Sequence, residues 1–197
     1  MGATILGRLG VLLVTGIYLF VSPSFSSAAE TGRLGAGVTL HAIAIDDPNG
    51  DVPNAGEAGI GLMYLDELSR DTRYYAEFSY LDAEISAESG KIGQDATRFG
   101  ISTVVQMRLR QFRSFKPWLG LGIGLYQEEF TRRHTVDSAG FLTGAFPDRD
   151  VTQLVVTFDA MHEWALTKSI DLALRVKYDI GFNKGVDGLS ASVILLY

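Results

Sequence analysis

His41, His134 and His162 are the only imidazoles in the chain, and cysteine is absent. The lack of thiols removes a cysteine nucleophile, thiolate metal sites and disulfide staples from consideration. His134 precedes Asp137-Ser138 by a few residues, so a base, an acid and a hydroxyl nucleophile occur in one short stretch. No hydrolase or acyltransferase motif surrounds them, and a solvated loop is the default reading. The segment Asp46-Asp47-Pro48-Asn49-Gly50-Asp51 gathers carboxylates that could hold Ca²⁺. It lacks the spaced ligands and distal glutamate of a calcium loop, and its Pro/Asn/Gly content reads as a turn. Gly120-x-Gly122-x-Gly124 is not a phosphate loop, because it sits inside an alternating strand instead of between a strand and a helix. Arg132-Arg133-His134 could contact phosphate groups, with a solvated charge run as the default. No catalytic, cofactor or metal site is assigned from these residues, and His134, Asp137 and Ser138 stand only as a speculative loop site.

The elements that must carry these residues are strands. Ile170 to Phe182 alternates strictly: Ile170, Leu172, Leu174, Val176, Tyr178, Ile180 and Phe182 against Asp171, Ala173, Arg175, Lys177, Asp179 and Gly181. A helix would mix the two sets around its circumference. Similar alternation marks strands near 34–45, 58–65, 74–83, 97–109, 118–127, 151–164 and 189–197, eight in all. The connections between them mostly alternate long and short, the layout of an up-and-down antiparallel barrel. The long ones are 46–57, 84–96 and 128–150.

Net charge is −6, with 20% charged residues and 47% hydrophobic ones. This composition argues against disorder and against a basic nucleic-acid footprint. Residues 1–29 read as a signal peptide: Arg8, an apolar run from Leu9 to Val21, Pro23, then small residues at Ser27-Ala28-Ala29. The barrel would then occupy residues 30–197.

Alternation alone does not decide whether the apolar set faces a core or lipid. The opposite set combines charge with glycine: Glu77, Arg98, Arg108, Asp159, Arg175, Lys177 and Asp179, with Gly120, Gly122 and Gly124. A small barrel can hold such a set inside, where charges pair and glycine leaves room for long side chains. A soluble exterior would not favour so many strand glycines. Aromatics also gather near strand ends. Tyr74, Trp118, Trp164 and Tyr197 fall at one end and Tyr178 and Phe182 toward the other, as in the girdles of membrane barrels.

The signal-like N-terminus, the segment Lys116–Tyr126 and the terminal Val193-x-Leu195-x-Tyr197 resemble small Gram-negative outer-membrane β-barrels of the OmpA/OmpX-like and opacity-protein-like group. The resemblance covers essentially the whole chain after the signal. It implies an eight-stranded antiparallel up-and-down transmembrane β-barrel in the outer membrane. It also implies a monomer surrounded by outer-membrane lipids and lipopolysaccharide, and a C-terminal strand ending in Tyr197 read by the barrel-assembly machinery. Ile194 and Leu196 depart from the pattern by making the other face of that strand apolar too.

Membrane strands need ~9–11 residues, so eight fit with room for loops and sixteen do not. Ten would require a hairpin hidden in 128–150. Eight strands enclose a lumen just wide enough for side chains to fill. The expectation is therefore a polar plugged lumen, long extracellular loops, no cofactor, no nucleic-acid partner, and a structural or surface-interaction role. The register of the last hairpins, with a turn near residue 167, places Asp159 opposite Arg175, both inward, as a direct or near-neighbour lumen ion pair. Two alternatives make different demands. A lipid A-modifying hydrolase or acyltransferase needs His134 and Ser138 within hydrogen-bond reach. A narrow pore needs an open path past Arg108, Asp159 and Arg175.

Overall fold

A computed structural model describes residues 32–110 and 116–197. The signal-peptide segment lies outside the described residues. These form nine strands: β1 Arg33–Ile45, β2 Ala55–Ser69, β3 Thr72–Ile85, β4 Ile92–Arg108, β5 Trp118–Val136, β6 Leu142–Ala145, β7 Arg149–Ala165, β8 Asp171–Gly181 and β9 Val186–Leu196. Every strand pairing is antiparallel, and β1 pairs with both β2 and β9. That closes an eight-stranded up-and-down barrel in the order β1-β2-β3-β4-β5-β7-β8-β9. Closure removes the unpaired edges that an open sheet would expose.

The hairpin considered within 128–150 is present, but it adds no wall strand. β6 is four residues long and pairs only with the end of β5. Two of the expected long loops are shortened by longer strands, to 86–91 and 137–148, while the first stays nearly as expected at 46–54. β3 runs to Ile85 and β4 starts at Ile92, while β5 runs to Val136. Residues read as loop therefore continue the barrel wall.

The side-chain period assigns each face. Outward positions carry exposed apolar groups such as Leu62, Leu121, Ile123 and Val176. Inward positions carry buried charge: Glu77, Arg98, Asp159, Arg175, Lys177 and Asp179. Lys177 is 2% exposed and Ile123 is 61% exposed, the reverse of a water-soluble protein.

The lumen also holds two apolar layers. Met63, Leu65, Tyr75, Val104, Trp118, Met161, Ala173, Ile194 and Leu196 cluster toward the end bearing the start of β1 and the end of β9. Ile43, Ile45, Leu81, Ala83, Ile85, Ala96, Phe130 and Val186 cluster toward the opposite end. The cluster of Glu77, Arg175, Lys177 and Asp179 lies between them, while Arg33, Arg73, Glu163 and Asp171 lie beyond the first. A polar plugged lumen was expected, and the added apolar layers follow from a change of phase along single strands. In β3, Phe78 and Tyr80 point outward with Glu77 and Ser79 inward. Beyond Tyr80 the outward positions become Asp82 and Glu84, and the inward ones Leu81, Ala83 and Ile85. The alternation persists, but its apolar half has moved to the inside. A wall that leaves lipid and enters water must exchange its faces in this way.

Candidate functional site

The central network is built from inward positions of seven strands. Arg175 on β8 donates from Nη2 to Glu77 Oε1 of β3 at 2.5 Å and to Ser192 Oγ of β9 at 3.1 Å. Ser192 Oγ lies 2.9 Å from Thr39 Oγ1 of β1. Lys177 Nζ reaches Glu77 Oε2 at 3.3 Å, Tyr126 Oη at 3.3 Å and Asp179 Oδ2 at 3.5 Å. Asp179 also accepts from Thr157 Oγ1 at 2.7 Å and meets Arg98 Nη2 at 3.5 Å. Arg98 stacks on the Tyr126 ring at 3.8 Å and approaches Glu128 Oε1 at 3.2 Å.

A second branch runs toward the end where β1 starts. Asp159 Oδ2 accepts from Tyr75 Oη at 2.9 Å and Gln106 Nε2 at 2.8 Å. Gln106 Oε1 accepts from Arg73 Nε at 2.6 Å, and Arg73 pairs with Glu163. Arg33 closes the branch on Glu163 at 3.2 Å and Asp171 at 2.6 Å. Five cations, Arg33, Arg73, Arg98, Arg175 and Lys177, thus interleave with six carboxylates, Glu77, Glu128, Asp159, Glu163, Asp171 and Asp179. Such alternation compensates charge that the wall withholds from water. Glycine makes the space for it. A Cβ on Gly120 would clash with Asp159 Oδ1 and lie 2.5 Å from Val104 Cγ1.

Several expected positions need correction. Asp159 faces Lys177 across the β7–β8 ladder, and Arg175 faces Met161. Asp159 and Arg175 both face inward as expected but are diagonal neighbours, and the direct ion pair of Arg175 is with Glu77. The register differs by two residues, which leaves both faces unchanged. Arg108 is exposed at the lumen mouth, outside the network, with its guanidinium 5.4 Å from the Trp118 ring. Trp118 is not a girdle residue. It shares the inward parity of Gly120 and is 5% exposed, beneath the Arg73 guanidinium at 3.9 Å. The remaining girdle positions face outward: Trp164, Tyr178, Phe182 and Tyr197 are exposed and Tyr74 is half-buried.

Sequence reasoning missed Arg73, Glu128, Glu163, Gln106 and Tyr126 as network members. Their inward parity was the available signal. It also missed Arg133, which reads as part of a solvated charge run in the connection 128–150; β5 instead continues to Val136, with a bulge that inverts its parity. Arg132 adopts φ 53°, and Gly93 and Asp95 face His134 and Thr131, so β5 carries one extra residue there. Arg133 consequently turns inward, where Nη2 lies 2.7 Å from both oxygens of Asp47. That pair ties the β1–β2 connection to β5. It also gives Asp47 a structural partner in the stretch considered for calcium.

The loop candidate does not assemble. Asp137 Oδ1 accepts from the N–H groups of Ala139 and Phe141, holding the β5–β6 turn. His134 Nδ1 contacts the Arg132 carbonyl at 2.7 Å. Among the described residues, no hydrogen bond joins His134 to Asp137 or Ser138, and no group of three His, Asp or Glu side chains could hold a metal.

No family model matches this chain, and no curated protein sequence matches it. Solved structures share its fold. Neisserial surface protein A aligns with a TM-score of 0.60 at 14% identity, covering 86% of this chain and 98% of that one. Ail, the attachment invasion locus protein of Yersinia pestis, aligns with a TM-score of 0.52 at 12% identity, covering 84% and 97%. At these identities the likeness is one of fold: the small, eight-stranded transmembrane barrel.

Proposed function

We propose that this chain is a non-enzymatic outer-membrane barrel that anchors a sealed β-wall in the lipid and presents its far end to the cell exterior. The observation that carries this reading is the exchange of faces along β3. Phe78 and Tyr80 suit acyl chains and the interface, whereas Asp82 and Glu84, on the same face of the same strand, suit water. β5 behaves alike: Leu119 to Leu125 is apolar outward, and Gln127 and Glu129 follow. A soluble barrel has no reason to change phase halfway up its wall.

On this reading both described chain ends lie on the periplasmic side, and the three longer connections lie outside. Lipopolysaccharide is the neighbour of the outer rim, and the terminal strand with Tyr197 is the segment offered to the barrel-assembly machinery. The apolar layers on either side of the Glu77, Arg175, Lys177 and Asp179 cluster favour a closed lumen over a conducting one. The hydrolase alternative rested on His134, Asp137 and Ser138, but His134 Nδ1 and Asp137 Oδ1 are engaged with backbone groups rather than with each other or Ser138.

Electrophoresis in detergent with and without boiling tests the reading. A folded membrane barrel resists unfolding by the detergent and changes mobility on heating. Identical mobility in both lanes would contradict it. Comparison of lipid A from cells with and without the protein tests the absence of lipid-modifying activity, with unchanged lipid A expected.

A further inference from the structure

The lumen mouth nearest the chain ends contains cationic groups that the ion network does not use. A cavity of about 610 Å³ opens there, over the ends of β4, β5 and β7. Arg73 lines it from the lumen side and is 1% exposed. Its Nε donates to Gln106 and its Nη1 pairs with Glu163, but its Nη2 has no hydrogen-bond partner. A buried guanidinium N–H without an acceptor is costly, and it marks a place where an acceptor would bind. Arg108 and Lys116 also line the cavity, both are exposed, and neither has a carboxylate partner among the described residues. The two acidic groups of the lining do not cancel this. Glu163 is shared between Arg73 and Arg33, and Glu67 is a single exposed carboxylate. An adjoining cleft adds Arg70, beside an Arg110 already paired with Asp71.

The geometry points to a binding site for a phosphate-bearing anion at this mouth. Phosphate supplies several acceptor oxygens and suits the planar fork of arginine. The lining also identifies where such a group would come from. Besides the inward Arg73 and Trp118, it includes the outward pair His162 and Trp164, whose rings meet edge to face at 4.4 Å. The cavity therefore reaches over the strand ends to the lipid-facing wall, at the height where an interfacial tryptophan sits. This assignment rests on the membrane reading above, since only then do phospholipid headgroups lie at that height. Free phosphate from the periplasm would offer the same chemistry.

The two tryptophans of the chain, Trp118 and Trp164, both line the cavity, so their emission reports its occupancy. The experiment uses full-length protein refolded in a neutral maltoside detergent. The heat-dependent mobility shift is checked first, so that failure of the barrel reading is recognised separately. Short-chain phosphatidylglycerol, inorganic phosphate and a phosphate-free diacylglycerol are then titrated. A saturable emission change with phosphatidylglycerol alone assigns the site to a lipid headgroup, and equal saturation by inorganic phosphate assigns it to the free anion. The double variant Arg108→Gln/Lys116→Gln changes only exposed side chains. It is expected to keep the mobility shift and to bind at least tenfold more weakly. The proposal is overturned by no saturable response to either phosphate source, by an equal response to diacylglycerol, or by unchanged affinity in the double variant.

Discussion

Glu77 shows at the residue scale why the lumen tolerates so much buried charge. One carboxylate, 3% exposed, accepts from both Arg175 and Lys177, which are no more exposed than it is. Removing it leaves Arg175 without its paired carboxylate and Lys177 with Asp179 alone. Breaking a buried ion pair costs about 3–5 kcal/mol, whereas replacing all its members by apolar groups of similar size is often neutral. Glu77→Ala is therefore expected to lose roughly that much stability in reversible urea unfolding from detergent micelles. The triple variant Glu77→Leu/Arg175→Met/Lys177→Met should recover most of it. A simple sum of the single losses would mean that the three residues act separately. Glycine supplies a second residue-scale test. Gly120→Ala places a methyl group against Asp159 and Val104, whereas a Cβ on Gly56 has nothing nearer than the His41 carbonyl oxygen at 3.8 Å. Gly120→Ala is expected to destabilise the same transition, and Gly56→Ala to leave it nearly unchanged.

Strands are where the sequence was most legible and also where it misled. Strict alternation in β8 identified both of its faces, because the side-chain period of a strand is two whatever solvent lies outside. The same rule places Trp118 inward, since it shares parity with Gly120. Reading it as a girdle residue gave aromatic type precedence over parity. On the sequence alone, the strand carrying the apolar inward run Leu81, Ala83 and Ile85 ends at residue 83 and Ile85 falls in the connection, because a rule of apolar-out, polar-in assumes one solvent along the whole strand. The Asp159–Arg175 register slipped because the five residues between β7 and β8 do not fix the centre of their turn, and a two-residue slip leaves no trace in the pattern. The central ion network was only partly visible. Parity indicates which residues enter the lumen, but not which of them meet across it.

The change of phase predicts a gradient along one strand. Ile123→Arg places a charge on the lipid face near the middle of the apolar stretch of β5 and should cost about 2–4 kcal/mol. Thr131→Arg, on the same strand beyond the apolar band, should cost at most about 1 kcal/mol. Equal costs would mean that the strand meets one medium throughout. The Arg133–Asp47 pair belongs to this scale as well, since it fastens the β1–β2 connection to β5. Asp47→Ala is expected to speed amide exchange in residues 46–54 without abolishing the heat-dependent mobility shift. Unchanged exchange would show that the pair does not hold that segment.

In the whole molecule a lipid-facing belt surrounds a lumen whose central ion cluster lies between two apolar layers. Reconstituted in planar bilayers, the protein is expected to give no stable ohmic conductance, and a steady open level would contradict the sealed lumen. The belt itself admits a more direct test, because the chain contains no cysteine and single substitutions label cleanly. A fluorophore placed at Leu62→Cys, Ile123→Cys and Val176→Cys in lipid bilayers is expected to be quenched by bromine- or spin-labelled acyl chains and shielded from iodide. At Asp82→Cys and Asp150→Cys iodide should quench and the labelled chains should not. If iodide quenched the first three as well as the last two, the outer wall would stand in water and the membrane reading of the barrel would be wrong.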